Sequence, residues 1–286
     1  MRILTYLGAH GATVGVERNG FVQPITATSL LEVIRGAEVT PSGDPVPLAD
    51  VTILAPYRPG KIIGIGLNYP DHAAETGKKV PERPILFGKL TTSVTGPGGP
   101  VRLPRYSTMV DFEGELAVVI GRPCRDVSVE DALSAVFGYA IMNDVSARDI
   151  QTIEPQWVRA KGADTFGPWG PWITTADEVG DPQDLRIRTW VSGELMQEAS
   201  TAEMHFSVAE LIAFASESVT LDAGDVIATG TPAGVGVARR PQRFLAGGDT
   251  VRIAIDGLGS IEHAVVDPDG ERPDGVGADP WGANVD

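Results

Sequence analysis

The chain has one cysteine, Cys124, among 286 residues, so no disulfide can close within it and no thiolate-rich zinc centre can be assembled. The expectation that follows is a reducing compartment, the cytoplasm. Nowhere do about 18 apolar residues run uninterrupted. The opening MRILTYLGAHGATVGVERNG lacks the apolar core and cleavage site of a secretory signal. Basic residues are few, with 23 Lys and Arg against 38 Asp and Glu for a formal charge of −15. Polyanion grooves and anionic membrane surfaces call for clustered cations, so neither nucleic acid nor membrane is an expected partner. Long helices are disfavoured as well, because 34 Gly and 22 Pro punctuate the chain, a share well above the usual ~12%.

What is present is an ordinary globular mix, 42% hydrophobic and 21% charged, in a chain long enough for about two domains. Residues 1–58 read as a small N-terminal domain. It holds the strands RILTYL and ATVGVERNGFVQPI, a helix from Ser29 to Arg35 and a short VTIL strand. At KIIGIGLNY the pattern changes, and residues 59–268 form the expected catalytic domain. Its strands are KIIGIG, ELAVVIG, GYAIMND, PWITT, IRTWV, DVIATG and TVRIAI. Helices are predicted over 128–137 and 207–218, capped by Ser128 with Asp131 and by Ser207 with Glu210. Residues 269–286 form an acidic tail. The fold class is mostly β with a few helices (α+β).

Strand periodicity sets the first chemical candidates. In FEGELAVVIG, Glu113 and Glu115 fall on one face while Leu116, Val118 and Ile120 fall on the other. Two carboxylates forced together raise the free energy unless a cation lies between them. Asp144, at the exit of the apolar strand YAIMND, is a third carboxylate. Such an all-oxygen set suits Mg²⁺ or Mn²⁺, with Ca²⁺ also open. A solvated strand face is the plainer alternative for Glu113 and Glu115.

After the strand KIIGIG, Asn68 or Asp71 is placed to cap a short helix with Pro70 in its first turn. On it, His72 and Glu75 are i, i+3 neighbours. A carboxylate beside an imidazole fixes its tautomer and stabilises the imidazolium, the orienter-and-base half of a catalytic triad with water as nucleophile. A simple surface contact is the alternative. The polar GKKVPERP that follows makes this helix a candidate lid. GIGLNY is similar to a dinucleotide fingerprint but has Tyr69 at its third glycine position and no βαβ unit after it. GTPAGVG at 230–236 lacks the Gly-Lys-Ser/Thr of a phosphate loop, so its glycines read as turn positions, with Thr231 offering a hydroxyl. His10, His205 and His263 fall in no ligand spacing.

Taken in order, GIGLNYPDHAAE, FGK (87–89), VDFEGELAVVIG, GYAIMNDVSARDIQ, KGADTFGPWGPW, MQ (196–197), FSVAELIAFAS, GDVIATGTPAGVG and GDTVRIAIDGLGSIEHAV resemble the fumarylacetoacetate hydrolase family over roughly residues 60–266. The nearest branch is that of acylpyruvases and hydroxymuconate isomerases. The resemblance implies a mixed β-roll catalytic fold, a homodimer, and metal ligands at Glu113, Glu115 and Asp144. It also implies a His72–Glu75 dyad, a catalytic Lys161, and substrate contacts from Gln197, Lys89 and Thr231. Some acylpyruvases carry Arg where this chain has Leu67, so carboxylate recognition by that route is absent.

The activity implied is divalent-metal-dependent hydrolysis of a carbon–carbon bond in a β-diketo acid or acylpyruvate. His72, held by Glu75, would activate water, with Lys161 and Gln197 near the developing oxyanion. An enolate is common to several reactions, so decarboxylation of a β-keto acid of the oxaloacetate type and isomerisation of a hydroxymuconate-type dienoate are alternatives. A non-catalytic, metal-binding dimeric module is a further one.

Overall fold

A computed structural model describes residues 1–268; the acidic tail expected at 269–286 lies outside the described residues. The chain is mostly β. Its largest sheet runs, neighbour to neighbour, through Val46–Pro47, Phe21–Pro24, Gly11–Arg18, Arg2–Gly8, Gly167–Thr175, Val136–Asn143, Gly114–Ile120, Val226–Ala228, Ile62–Gly66 and Ile85–Lys89. Val226–Ala228 pairs with Ile62–Gly66 in parallel, while Gly114–Ile120 is antiparallel to both its neighbours, so the sheet is mixed. A second, five-stranded sheet holds Glu194–Ser200, Arg186–Val191, Thr250–Ile255, Gly259–Val266 and Val101–Arg102. The N-terminal strands continue the large sheet, because Arg2 and Ile3 pair with Thr174 and Ile173.

The strand Gly114–Ile120 lies at the centre of the fold and is buried along its whole length. Leu116, Val118 and Ile120 enter the larger apolar core, with Leu211, Ile212 and Ile253. Ala117 and Val119 enter a second core on the opposite face, with Ile3, Ile62 and Trp169. A strand clad on both sides is held rigidly, at about 25 cal/mol for each Å² of apolar surface withdrawn from water, and the carboxylates at its N-terminal end inherit that rigidity.

Helices are short apart from Val208–Ser218, whose N-cap Ser207 exchanges hydrogen bonds with Glu210 as the sequence predicts. The helix expected at 128–137 is shorter than predicted. It runs Val129–Ala132, tightens into a 3₁₀ turn over Leu133–Ala135 and gives way to strand at Val136. Val136 and Phe137 are β-formers drawn into the sheet beside Gly114–Ile120. Among the described residues no helix is long and apolar enough to cross a membrane.

Candidate active site

The helix Pro70–Glu75 follows the first strand of the second chain segment across a tight bend, with Leu67 in the left-handed region at φ 57°. Its cap differs from the expected one. Tyr69 occupies the N-cap position without a side-chain bond. Asn68 turns inward instead, donating to the carbonyls of Phe206 (3.1 Å) and Thr229 (2.8 Å) and accepting from the Phe206 amide (2.9 Å). It staples three loops, a buried task that outweighs capping an exposed helix end. On the helix, His72 Nδ1 meets Glu75 Oε1 at 2.8 Å, and Glu75 Oε2 accepts the Gly234 amide at 2.8 Å. The carboxylate is thus held from both sides, and it leaves the Nε2 edge of His72 as the working one.

Glu113, Glu115 and Asp144 converge as expected, each offering an oxygen within 4.8 Å of the others. The plainer reading of a solvated face fails, since all three are buried. Glu113 sits one residue ahead of its strand and Asp144 one residue past Val136–Asn143. The adjacent strand ends therefore deliver both carboxylates to one place, and Asp144 N donates to Glu113 O at 2.9 Å.

Cations crowd the same cluster. The Lys161 ammonium lies 2.5 Å from Glu113 Oε2 and 2.7 Å from Asp144 Oδ2. Lys89 reaches Asp144 Oδ1 at 2.6 Å and donates to the Lys161 carbonyl. Arg148 pairs with Glu113 Oε1 (2.7 Å) and Asp111 Oδ2 (2.8 Å). Burial disfavours the charge of Glu113, but Lys161, Arg148 and His72 outweigh it and hold this carboxyl below the usual carboxylate range. For Glu115, burial and the charges of Asp144 and Glu113 push the pKa well above the ordinary value, against the pull of Lys161 and the Gly230 amide. Burial likewise opposes the charge of Lys161, yet Asp144 and Glu113 raise its pKa overall. Three buried carboxylates with oxygens within 4.8 Å of one another, one of them raised by burial and by its two neighbours, make a site that gains from a further cation. The donors are all oxygen, so the residues fit a hard divalent ion such as Mg²⁺ or Mn²⁺.

A cavity of about 310 Å³ opens onto this cluster, lined by His72, Glu75, Glu113, Lys161 and Thr231 among others. Gln197 and Lys89 are not in its wall. The Gln197 amide accepts from Gly114 N (3.0 Å) and donates to Thr231 Oγ1 (2.7 Å) and Pro232 O (2.8 Å), all within the protein. Lys89 stands behind Asp144. Thr231 borders the cavity, but its hydroxyl donates to the Gly114 carbonyl at 3.0 Å.

Several residues of the site escape the sequence reading. Arg148 and Asp111 lie inside motifs that drew attention only for their metal carboxylates, and a buried arginine has no linear signature. Trp157 and Phe87, edge to face at 5.4 Å, wall the cavity. Gly66 is needed beneath them, since a Cβ there would lie 2.8 Å from the Trp157 ring. The loop 230–237, whose glycines within 230–236 read from sequence as turn positions, supplies amides to three carboxylates: Gly230 to Glu115, Gly234 to Glu75, and Gly236 with Val237 to Asp111. His263 is buried, and its Nε2 lies 2.9 Å from Asn143 Nδ2, while Asn143 Oδ1 accepts the Glu113 amide at 3.0 Å.

Comparison with known proteins agrees with this geometry. The sequence pattern of the fumarylacetoacetate (FAA) hydrolase C-terminal domain matches residues 61–266. A mitochondrial oxaloacetate tautomerase of Xenopus laevis is 48% identical over 221 residues, spanning 76% of this chain and 69% of its own length. The fumarylacetoacetate hydrolase of Exiguobacterium antarcticum superposes with a TM-score of 0.85 at 39% identity, covering 93% of this chain and 99% of that one. A 2-hydroxyhepta-2,4-diene-1,7-dioate isomerase from Mycobacterium marinum superposes at 0.81, again at 39% identity, covering 94% and 100%. Ordered motifs, fold and site geometry therefore converge on one conclusion: the chain belongs to the fumarylacetoacetate hydrolase family.

Proposed function

We propose that the protein is a divalent-metal-dependent hydrolase that cleaves a carbon–carbon bond in a β-diketo acid or acylpyruvate. Glu113, Glu115 and Asp144 would hold Mg²⁺ or Mn²⁺, and when bound the ion supplies Lewis acidity, drawing charge from a carbonyl oxygen that becomes negative during reaction. The observation that carries the reading is the His72–Glu75 pair, 2.8 Å apart and opening onto the same cavity as Glu113. Glu75 holds the imidazole through Nδ1, so the opposite nitrogen takes a proton from water. Lys161 presents an ammonium beside the reacting carbonyl, where it stabilises developing negative charge. The cavity walls formed by Phe87 and Trp157 limit bulk water.

A second reading keeps the same residues and dispenses with the nucleophilic water: tautomerisation, isomerisation or decarboxylation of a keto acid. The oxaloacetate tautomerase and dioate isomerase among the relatives favour it. In that case His72 and Lys161 only move and receive a proton. Purified protein with Mg²⁺ or Mn²⁺, assayed against acylpyruvates, oxaloacetate and hydroxymuconate-type dienoates, separates the two. For a hydrolase, His72→Ala and Glu75→Gln lower acylpyruvate cleavage by about 10²–10⁴-fold, and any oxaloacetate decarboxylation falls less. A parallel fall in both activities removes His72 from the role of water-activating base.

A further inference from the structure

Glu113 stands where the large sheet ends. The pairing of Gly114–Ile120 with Val136–Asn143 begins at Gly114, opposite Asn143, and its pairing with Val226–Ala228 begins only at Ala117. Glu113 therefore lies outside both ladders and Gly114 outside the second, in a buried place where an unpaired main-chain group carries a free-energy cost. The Asp144 amide meets the Glu113 carbonyl at 2.9 Å. Side chains do the rest. Asn143 Oδ1 accepts the Glu113 N–H at 3.0 Å, Gln197 Oε1 accepts the Gly114 N–H at 3.0 Å, and the Thr231 hydroxyl donates to the Gly114 carbonyl at 3.0 Å.

These side chains are themselves held, and the holders come from the five-stranded sheet. Gln197, on the strand Glu194–Ser200, donates through Nε2 to Thr231 Oγ1 at 2.7 Å and Pro232 O at 2.8 Å, which turns its oxygen toward Gly114. Asn143 can meet the Glu113 N–H only with its oxygen, so its Nδ2 faces His263 Nε2, 2.9 Å away on the strand Gly259–Val266. That ring nitrogen then carries the lone pair and Nδ1 the proton, in a ring that burial keeps neutral. Nδ1 is buried and has no hydrogen-bond partner among the described residues. An imidazole with an unpaired buried N–H is costlier than a leucine of similar size, so packing alone does not account for a histidine there. What the ring supplies and a leucine cannot is an acceptor, which fixes the way round that Asn143 sits.

We propose that Asn143, His263 and Gln197 are positioning residues for the metal site: they hold the main chain at Glu113 and Gly114 in one orientation and, through it, aim the Glu113 carboxylate at Glu115 and Asp144. None of the three borders the cavity beside the cluster. Gln197, which the sequence resemblance sets against substrate, supports a metal ligand instead. This role rests on the metal reading of Glu113, Glu115 and Asp144, and it gives the second sheet a part in that site.

Two readouts on the full-length protein test it, one with metal and one without. In metal-free protein, amide hydrogen exchange followed by NMR should quicken several-fold at Glu113 in His263→Leu and at Gly114 in Gln197→Met. Calorimetric Mn²⁺ affinity should fall about 10-fold in each, the lower end of the ~10–100-fold that groups supporting a metal ligand usually carry. His263→Gln, whose side-chain oxygen can accept from Asn143, should restore both readouts. His263→Asn, one methylene shorter, should not, and it stands in for the leucine variant should that one fail to fold. Unaltered exchange at both amides, or Mn²⁺ affinity unmoved by His263→Leu and Gln197→Met while Glu113→Ala lowers it, overturns the positioning role and leaves the metal reading standing. If Glu113→Ala too leaves Mn²⁺ affinity unaltered, the metal reading fails and the role falls with it. Weaker binding of 2-oxohexanoate to Gln197→Met at undiminished Mn²⁺ affinity would make Gln197 a substrate contact and overturn its part.

Discussion

The inner end of the cavity and its mouth hold the same kinds of charged group and treat them in opposite ways. At Glu113, Glu115 and Asp144 the surrounding chain answers each carboxylate with an ammonium, a guanidinium or a backbone amide, all in a water-poor interior. At Lys78 and Arg240 the chain leaves exposed cations with no ion-pair partner among the described residues. Packed, saturated charges resist rearrangement, because breaking one buried pair strands its partner at about 3–5 kcal/mol. Half-solvated, unmatched charges cost little to hold and can be exchanged without disturbing the core. The inner end is therefore suited to chemistry that must not vary, whereas the exposed cations are free to exchange partners with the solvent.

The strongest way to break this contrast is at the inner end. Glu113→Ala removes an oxygen proposed to hold the metal, which also anchors Lys161 and Arg148. Mn²⁺ affinity, read by calorimetry, should fall on the order of 10²-fold or more, since hard-cation binding follows ligand charge. Glu115→Gln, nearly isosteric, should weaken it in the same direction with the fold intact by circular dichroism. Lys78→Met at the mouth should leave Mn²⁺ affinity essentially unaltered. Unchanged binding in both glutamate variants would remove the metal assignment.

Lys161→Met sharpens the contrast, because this ammonium bridges Glu113 and Asp144 and also faces the cavity. Its loss should lower kcat by about 10²-fold, the scale of a missing oxyanion donor, with Mn²⁺ affinity maintained. A change confined to KM would make Lys161 a ground-state anchor.

The smallest effect concerns His263, in the layer behind the cluster. Burial pushes its pKa from 6.5 down to about 3. The unfolded chain takes up the proton near pH 6.5 and the folded chain does not. The stability contributed by the neutral ring is therefore complete above pH 6.5 and is lost as the pH falls toward 3, by about 1.4 kcal/mol per unit. His263→Gln keeps an acceptor for Asn143 and removes the titration. Urea midpoints at pH 7 and pH 5 should show the wild type losing about 2 kcal/mol more than the variant. Equal losses would mean that the ring is protonated without cost.

Much of the site was legible because its carriers are strand ends. The period of two in FEGELAVVIG placed Glu113 and Glu115 together, and the i, i+3 spacing placed Glu75 on His72. Central strands such as KIIGIG and DVIATG showed as apolar runs bounded by Gly and Pro. Side-chain commitments were not legible. Nothing in a linear pattern tells that the Gln197 amide is consumed by Gly114, Thr231 and Pro232, or that Asn68 serves Phe206 and Thr229 rather than its own helix. Those bonds join residues more than 30 positions apart and depend on tertiary packing. Lys78 and Arg240 were unreadable for the same reason, since two surface cations separated by some 160 residues share a cavity only once the loop 230–243 has folded back over the Pro70–Glu75 helix.

The 230–237 loop grips Glu115, Glu75 and Asp111 through main-chain N–H groups, which almost every amino acid possesses. A saturation library across it should therefore punish shape above all, with Thr231 the position whose side-chain hydroxyl is also needed. Proline, the residue without an N–H, would delete a bond at Gly230, Gly234, Gly236 or Val237. Any side chain at Gly230 or Gly234 would be opposed by a φ near +97° or +109° and by Asn68 or the Met196 carbonyl within 2.7 Å. Small replacements at the half-buried Ala233 between them should cost least. Freedom to vary is therefore confined to the few half-buried positions of the loop, such as Ala233 and Val237, while the three carboxylates it orients stay where they are.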